Sequence, residues 1–382
     1  MKVNKVVLLL SNTSWYLYNF KKDLIDQLIQ TGYKIILVAP FDKHTKEFEN
    51  RGIKVINWHL NRKSLNPLSA LCSIIQLVYV YAKIKPDLVH HFTIKSIVYG
   101  TIAARIINIK TVINAFTGLG PVYFMREKHL AILKNFILAL YKAVLSEKRC
   151  ITIVQNKSDL NELELLSKRN ISKSILIPGS GVDTEFFDIE EKRQKFNNPP
   201  KILFPARLIQ EKGFNELLEA CNLLWDENYL FKLIVAGLID FGNNSCISEN
   251  YLRRIQLNKN ISFLGHVNNM KYIYESVDIV ALPSWREGLS KSLIEASSMQ
   301  CAIVTTNVAG CNDVINHLEN GLLVPAKDVK ALKQSIEYLL NNQEFALKLG
   351  AEARKNAISK FKLSKINKLT LDLYEDIFRK NL

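Results

Sequence analysis

The chain has 382 residues, 48% of them hydrophobic and 23% charged, which points to two domains and excludes a miniprotein, a disordered chain and a collagen-like one. Six cysteines (Cys72, Cys150, Cys221, Cys246, Cys301, Cys311) form no C-x-x-C pair, so they read as reduced thiols of a cytosolic protein, not as a disulfide framework or a zinc site. The net charge of +15 belongs to residues 1–180, where 26 Lys and Arg stand against 11 Asp and Glu, while residues 181–382 balance at 25 of each; the first half therefore expects an anionic partner, whether nucleic acid, an acidic membrane surface or a phosphorylated substrate.

Met1–Leu10 has a short apolar run without a small-residue cleavage site, and reads as a first core strand, not a signal peptide. A helix around Lys21–Thr31, a strand at Lys34–Ala39, a helix around Thr45–Arg51 and a strand at Val55–Trp58 follow, the rhythm of βαβ units. The uncharged stretch Ser64–Ala82 contains Asn66, Pro67, Ser69, Ser73 and Gln76, so no membrane-spanning helix is predicted there. Strands at Leu88–His91, Val112–Ala115, Ile151–Gln155 and Ser174–Ile177 complete one doubly wound domain. Between them, Glu127–Arg149 patterns as an amphipathic helix, with Leu130, Leu133, Ile137, Leu140 and Val144 on one side. Lys128, Lys134, Lys142, Lys148 and Arg149 lie largely elsewhere, which fits either a helix packed on the sheet or one lying on an anionic membrane.

Phe186–Pro200 is polar, carries the charge run Glu190–Arg193 and ends in Pro199-Pro200, which marks a linker. The rhythm then restarts with Lys201–Pro205, Phe231–Ala236, Ile261–Leu264, Ile279–Leu282 and Ala302–Thr305. Leu363–Leu382 is a last amphipathic helix with Leu369, Leu373 and Ile377 at spacing four.

The densest chemistry is in Ser284–Glu295, directly after a predicted strand. A helix starting near Gly288, Leu289 and Ser290 presents backbone N–H groups and a positive dipole end to a phosphate. Glu295, two turns further, then comes within reach of a ribose, and Glu287 in the loop within reach of a sugar. Arg207 and Lys212 follow another strand end, where a guanidinium fork and an ammonium can clamp a diphosphate. Taken singly, each of these residues also fits a solvated surface position, and Gly179–Asp183 also fits a plain turn. There is no Asp-x-Asp motif or spaced His and carboxylate cluster, so no metal and no other cofactor is expected, and no G-x-G-x-x-G follows the first strand.

Glu287 and Glu295 as E-x7-E, with the Arg207 and Lys212 pair, resemble the retaining glycosyltransferases of family 4. The resemblance continues through Asn307–Val314 and Asn320–Pro325. It implies the GT-B fold, an α/β architecture of two doubly wound Rossmann-like domains facing a central cleft. The implied division is 1–185 as acceptor- and membrane-facing domain, 186–362 as nucleotide-sugar domain, and 363–382 as a helix returning to the first. The resemblance also implies Gly237, His266 and Val267 as donor-side residues and Glu287, Arg207 and Lys212 as catalytic ones.

In the first half, His90-His91-Phe92-Thr93-Ile94-Lys95, Phe116–Gly120 and Ser64–Pro67 look like bacterial members that extend lipid-linked oligosaccharides, the N-acetylgalactosaminyl and capsule-type transferases. Thr13, His90, His91, Lys95, Thr117 and Gly118 become the acceptor-side candidates. This chain departs from many relatives in having Ser11-Asn12-Thr13 where they have two glycines, and no His near Asn114–Thr117.

The expected activity is therefore retaining transfer of a sugar, best an N-acetylhexosamine, from a UDP-sugar to a polyprenyl-diphosphate-linked saccharide. The enzyme would sit peripherally on the inner face of the cytoplasmic membrane. A non-hydrolysing UDP-sugar epimerase shares the architecture but needs acid and base carboxylates around the sugar. A nucleic-acid binder would need Lys and Arg clusters interleaved with aromatics, which do not occur, so no nucleic-acid partner is expected.

Overall fold

The computed structural model describes residues 5–61, 64, 66–120, 131–167, 171, 173–189, 193–240 and 245–380. They form two compact units, the first built from Met1–Ser180 and Asn367–Leu382, the second from Gly181–Ile366.

In the first unit the chain runs β1 (Val6–Leu10), α1 (Ser14–Gln30), β2 (Lys34–Ala39), α2 (Thr45–Glu49), β3 (Lys54–Asn57), α3 (Pro67–Ile84), β4 (Leu88–Phe92), α4 (Ile94–Ile107), β5 (Val112–Ala115), α5 (Ala131–Leu145), β6 (Cys150–Val154), α6 (Lys157–Leu166) and β7 (Ser174–Leu176). The all-parallel sheet has the order β3-β2-β1-β4-β5-β6-β7. Helices cover both faces, which is why the inner strands are buried along almost their whole length and mostly apolar instead of alternating, with His90, His91, Asn114 and Thr152 as buried polar exceptions. Right-handed crossovers carry α1 and α2 to one face and α3 to α6 to the other.

The second unit holds β8 (Lys201–Phe204), α7 (Phe214–Asp226), β9 (Lys232–Val235), α8 (Glu249–Ile255), β10 (Ile261–Phe263), α9 (Met270–Ser276), β11 (Ile279–Leu282), α10 (Lys291–Ser298), β12 (Ala302–Thr306), β13 (Leu322–Val324), α11 (Val329–Asn341), α12 (Gln343–Phe361) and the start of α13 (Leu363–Lys380). Its parallel sheet runs β10-β9-β8-β11-β12-β13. Two helix starts show conventional caps: Asn66 bonds the Leu68 N–H with Pro67 in the first turn of α3, and Asp328 bonds the Ala331 N–H at α11.

Three local readings change in the structure. Phe186–Pro200 is no free tether, because Phe196 is buried in the core of the second unit and Arg193 donates to the carbonyls of Tyr274, Val277 and Met299. Glu190, Glu191 and Lys192 lie outside the described residues. On α13 the buried stripe is Ile366, Leu373, Tyr374 and Ile377, and Leu369 points outward, because the contacts follow i, i+3 and i+4 and not strict fours. Finally, most of Ser64–Ala82 falls in α3, Pro67–Ile84, which is long and apolar enough to cross a membrane by length and composition. Its inner side chains Leu77, Val80 and Tyr81 nevertheless belong to the core against β1, β4 and α4.

Candidate active site

In a parallel sheet the loops at the carboxyl ends of strands diverge where the strand order reverses, and ligands bind in the crevice this leaves. In the second unit that point lies between β8 and β11. The β8 loop carries Arg207 and a 3-10 turn, Gln210–Lys212; the β11 loop carries Ser284 to Ser290 and leads into α10. The two loops meet at Glu287. Lys212 Nζ donates to Glu287 Oε1 at 2.5 Å, and Ser284 Oγ donates to the same oxygen at 2.8 Å. Both charged side chains are mostly enclosed, Lys212 being 20% and Glu287 12% exposed.

The surrounding backbone fixes this cluster. The Glu287 N–H donates to Ala309 O at 3.0 Å, and Gly310 follows at φ +79°. A β-carbon on Gly310 would lie 2.5 Å from the Glu287 carbonyl oxygen, so only glycine lets the β12 loop support the β11 loop this closely. Trp285 ties the same loop to the other side: its N–H donates to Glu211 O, its indole Nε1 to Glu216 Oε1 at 2.8 Å, and Lys327 lies over its ring at 3.6 Å. Gly237, after β9, passes so near Ala206 that a β-carbon would lie 1.7 Å from its carbonyl oxygen.

Ser290 caps α10 in an extended conformation without a side-chain hydrogen bond to the first turn. The early N–H groups of α10, beginning beyond Gly288 and Leu289, thus keep the anion-attracting character of a helix start. Glu295, on the second turn, is largely buried. The Tyr274 hydroxyl donates to its Oε2 at 3.2 Å and Lys291 Nζ lies 3.7 Å from Oε1. Burial pushes its carboxyl above the usual range, opposed by Lys291. Arg207 is 56% exposed and donates to Asp240 Oδ2 at 2.5 Å. His266 is exposed after Gly265, while Val267 packs on the core.

The structure thus brings together Lys212, Glu287 and Ser284, and gives Arg207 and Glu295 partners of their own. Tyr274 and Asp240 escaped the sequence reading. Tyr274 sits in the mixed segment Met270–Ser276, where nothing local marks it as the partner of a glutamate 21 positions on, and nothing local to Asp240 marks it as the partner of an arginine 33 positions away.

In the first unit His90 and His91 are neighbours on β4, so their rings point to opposite faces of the sheet. The His91 ring lies among α3 and α4: Nδ1 is 2.8 Å from Asn114 Oδ1 and Nε2 is 2.9 Å from the Tyr81 hydroxyl. Burial pushes its pKa down to about 4. The His90 ring faces the other way, where Nδ1 meets the Tyr374 hydroxyl of α13 at 2.8 Å. Its Nε2 is buried without a partner among the described residues, at a pocket lined by Tyr16, Lys21, Phe92, Thr117 and Gln155. Burial, and then the nearby Lys21 charge, hold His90 neutral far below the usual histidine range.

The other acceptor-side candidates have local duties. Thr13 Oγ1 accepts the Tyr16 N–H at the start of α1, and Lys95 Nζ donates to the carbonyls of Asn61 and Ser64. Gly118, next to Thr117, takes φ +120°. Among the described residues no group of three His, Cys, Asp or Glu side chains converges.

Two doubly wound parallel sheets, the second with a Lys–Glu pair and a helix start lacking a side-chain cap bond at its switch point, have the architecture of the GT-B class of glycosyltransferases. Family descriptions match accordingly: "Glycosyl transferases group 1" over residues 185–356 and "Glycosyl transferase 4-like" over residues 6–156. The chain thus carries a glycosyltransferase 4-like domain followed by a group 1 glycosyltransferase domain and is a hexosyltransferase.

Similar proteins include an N,N'-diacetylbacillosaminyl-diphospho-undecaprenol α-1,3-N-acetylgalactosaminyltransferase of Campylobacter jejuni, 27% identical over 91% of this chain and 93% of that one. The capsular polysaccharide biosynthesis glycosyltransferase CapM of Staphylococcus aureus is 27% identical over 88% of each. Among solved structures, Anabaena HepE in complex with UDP superposes with a TM-score of 0.76 at 18% identity, over 97% of this chain and 99% of that one.

Proposed function

We propose that the enzyme transfers an N-acetylhexosamine, with retention and without a metal, from a UDP-sugar to a saccharide on polyprenyl diphosphate at the cytoplasmic face of the membrane. The observation that carries the reading is the Lys212–Glu287–Ser284 cluster beside the start of α10. It offers a cation and helix N–H groups to a diphosphate and a carboxylate to a sugar hydroxyl. The acceptor class is supported by the Campylobacter relative, whose substrate is undecaprenol-linked, and by the basic first half of the chain.

In this mechanism the bond from the anomeric carbon to the phosphate oxygen breaks while the acceptor oxygen bonds the same face of that carbon. The acceptor proton passes to the departing phosphate oxygen. Lys212, Arg207 and the α10 N–H groups stabilise the charge growing on the diphosphate, as preorganised donors do. Glu287 orients the sugar and Glu295 the ribose. In the first unit His90 Nε2 and Thr117 are the groups turned to the acceptor.

The test is UDP release from a panel of UDP-sugars, with and without polyprenyl-diphosphate saccharides in detergent, together with the anomeric configuration of the product. Release that depends on acceptor, gives retained configuration and survives EDTA is expected. Loss in EDTA restored by Mg²⁺ or Mn²⁺ overturns the metal-free step, and epimerisation of UDP-N-acetylglucosamine with no acceptor overturns the transfer reading. Lys212→Ala should cost about 10²- to 10³-fold in rate, the usual loss for one such donor.

A further inference from the structure

Helix α3 is apolar on both sides, its inner side packing Leu77, Val80 and Tyr81 into the core. Its polar residues point inward: Ser73 Oγ donates to His59 O at 2.7 Å, Gln76 Nε2 donates to Asn57 O and Gln76 Oε1 accepts the His59 N–H, each at 2.8 Å. Its outward face is apolar, with Leu68 71%, Leu71 53%, Ile75 57% and Tyr79 64% exposed, at the spacing of one helical stripe. Lys83 is the one charge on the helix. An ordinary surface helix would place polar side chains where Leu68, Leu71, Ile75 and Tyr79 stand.

The charge along this part of the chain is one-sided, although Arg105 of α4 pairs with Glu147. Residues 50–146, which include α3, α4 and α5, contain 13 Lys and Arg and two acidic residues, Asp87 and Glu127. Helix α4 packs against both α3 and α5, and α5 adds exposed Ile132 and Phe136. Lys142 of the basic helix read from the sequence is exposed and Lys134 half-buried, while Lys128 lies outside the described residues. A second copy of so basic a surface would be repelled, whereas anionic lipid attracts the lysines and accommodates the apolar stripe together.

Resting on the reading of a membrane-borne acceptor, we propose that α3 is an in-plane docking helix whose Leu68, Leu71, Ile75 and Tyr79 face enters the headgroup boundary of an anionic bilayer. It lies on the membrane and does not cross it, because Trp58, Ser73, Gln76 and Tyr81 bind its inner side into the first unit.

The protein carries its own probe. Cys72 lies on the docking face and is exposed, while Cys150, Cys221, Cys301 and Cys311 are buried. With Cys246→Ser to prevent side labelling, an environment-sensitive fluorophore on Cys72 reports the face directly. In vesicles containing phosphatidylglycerol its emission should shift to the blue and be quenched by lipid-borne nitroxides, with little change in pure phosphatidylcholine and partial reversal by salt. Leu71→Glu with Ile75→Glu should lower the fraction sedimenting with vesicles at least about tenfold and leave the thermal midpoint in place. If that variant does not fold, the wild-type label still decides.

Three results overturn the proposal: no sedimentation with anionic vesicles at low salt, sedimentation with the label still in water, or shielding of Cys72 by a concentration-dependent dimer. Transfer in detergent is scored separately. Docking lost with transfer intact overturns this inference alone, and docking intact without transfer upholds the surface and overturns the reading it rests on.

Discussion

Lys212 binds one anion in the free protein and is assigned a second in the reaction. The Glu287 carboxylate at 2.5 Å holds the ammonium where an incoming diphosphate must share it, so Glu287 restrains the cation as well as orienting the sugar. Glu287→Ala should therefore lower kcat with little change in the donor KM, whereas Glu295→Ala should chiefly raise it; steady-state kinetics with wild-type values in both variants would remove the donor site from this crevice.

His91 gives a second measurable consequence at this scale. Its folded pKa, about 4, lies below the ordinary 6.5, so the unfolded chain binds the proton first as pH falls. Stability is then full above about pH 6.5 and is lost as pH drops toward 4, by at most about 3 kcal/mol at about 1.4 kcal/mol per pKa unit. Urea unfolding at pH 7 and pH 4.5 should show this loss, and His91→Gln should shrink it; an unchanged pH dependence refutes the buried neutral ring.

At the scale of elements, Arg193 shows what pattern reading misses. In sequence it ends a charge run of the kind that usually faces water; in space its guanidinium collects the last carbonyls around α9 and that of Met299 after α10, groups that helix ends leave without partners. Arg193→Ala should cost the second unit about 2–4 kcal/mol, the order expected for several charge-assisted bonds and the carbonyls they desert, measured by urea titration. A loss within error would mean that water replaces it.

The strands were legible because doubly covered parallel strands are mostly apolar along their length, and Lys34–Ala39 and Ile279–Leu282 match their predicted bounds residue for residue. The docking face on α3 was not legible, since a polar residue turned inward and one turned outward look the same in a string of letters. Likewise the residue types around the donor crevice could be picked out, but their pairing could not: Lys212 with Glu287 and Arg207 with Asp240 are facts of loop closure.

At the scale of the whole molecule, the first unit is sewn from two distant stretches. Tyr374 and Ile377 of α13 are buried in it, Tyr374 packs edge-on against Tyr33 at 6.0 Å, and its hydroxyl meets His90. A chain stopped after Ile366 should keep the protease resistance of the second unit and lose that of the first, which limited proteolysis reads directly; equal resistance of both would make α13 dispensable. In translation this reverses the usual order of maturation. The 186 residues of the second unit are made between the two parts of the first, about 10 to 40 s at ordinary rates of protein synthesis. During that interval the nascent first unit presents the groove around Tyr33 and His90 unfilled, so the half synthesised first is the one that must wait, and the ribosome-proximal half can reach its native state ahead of it.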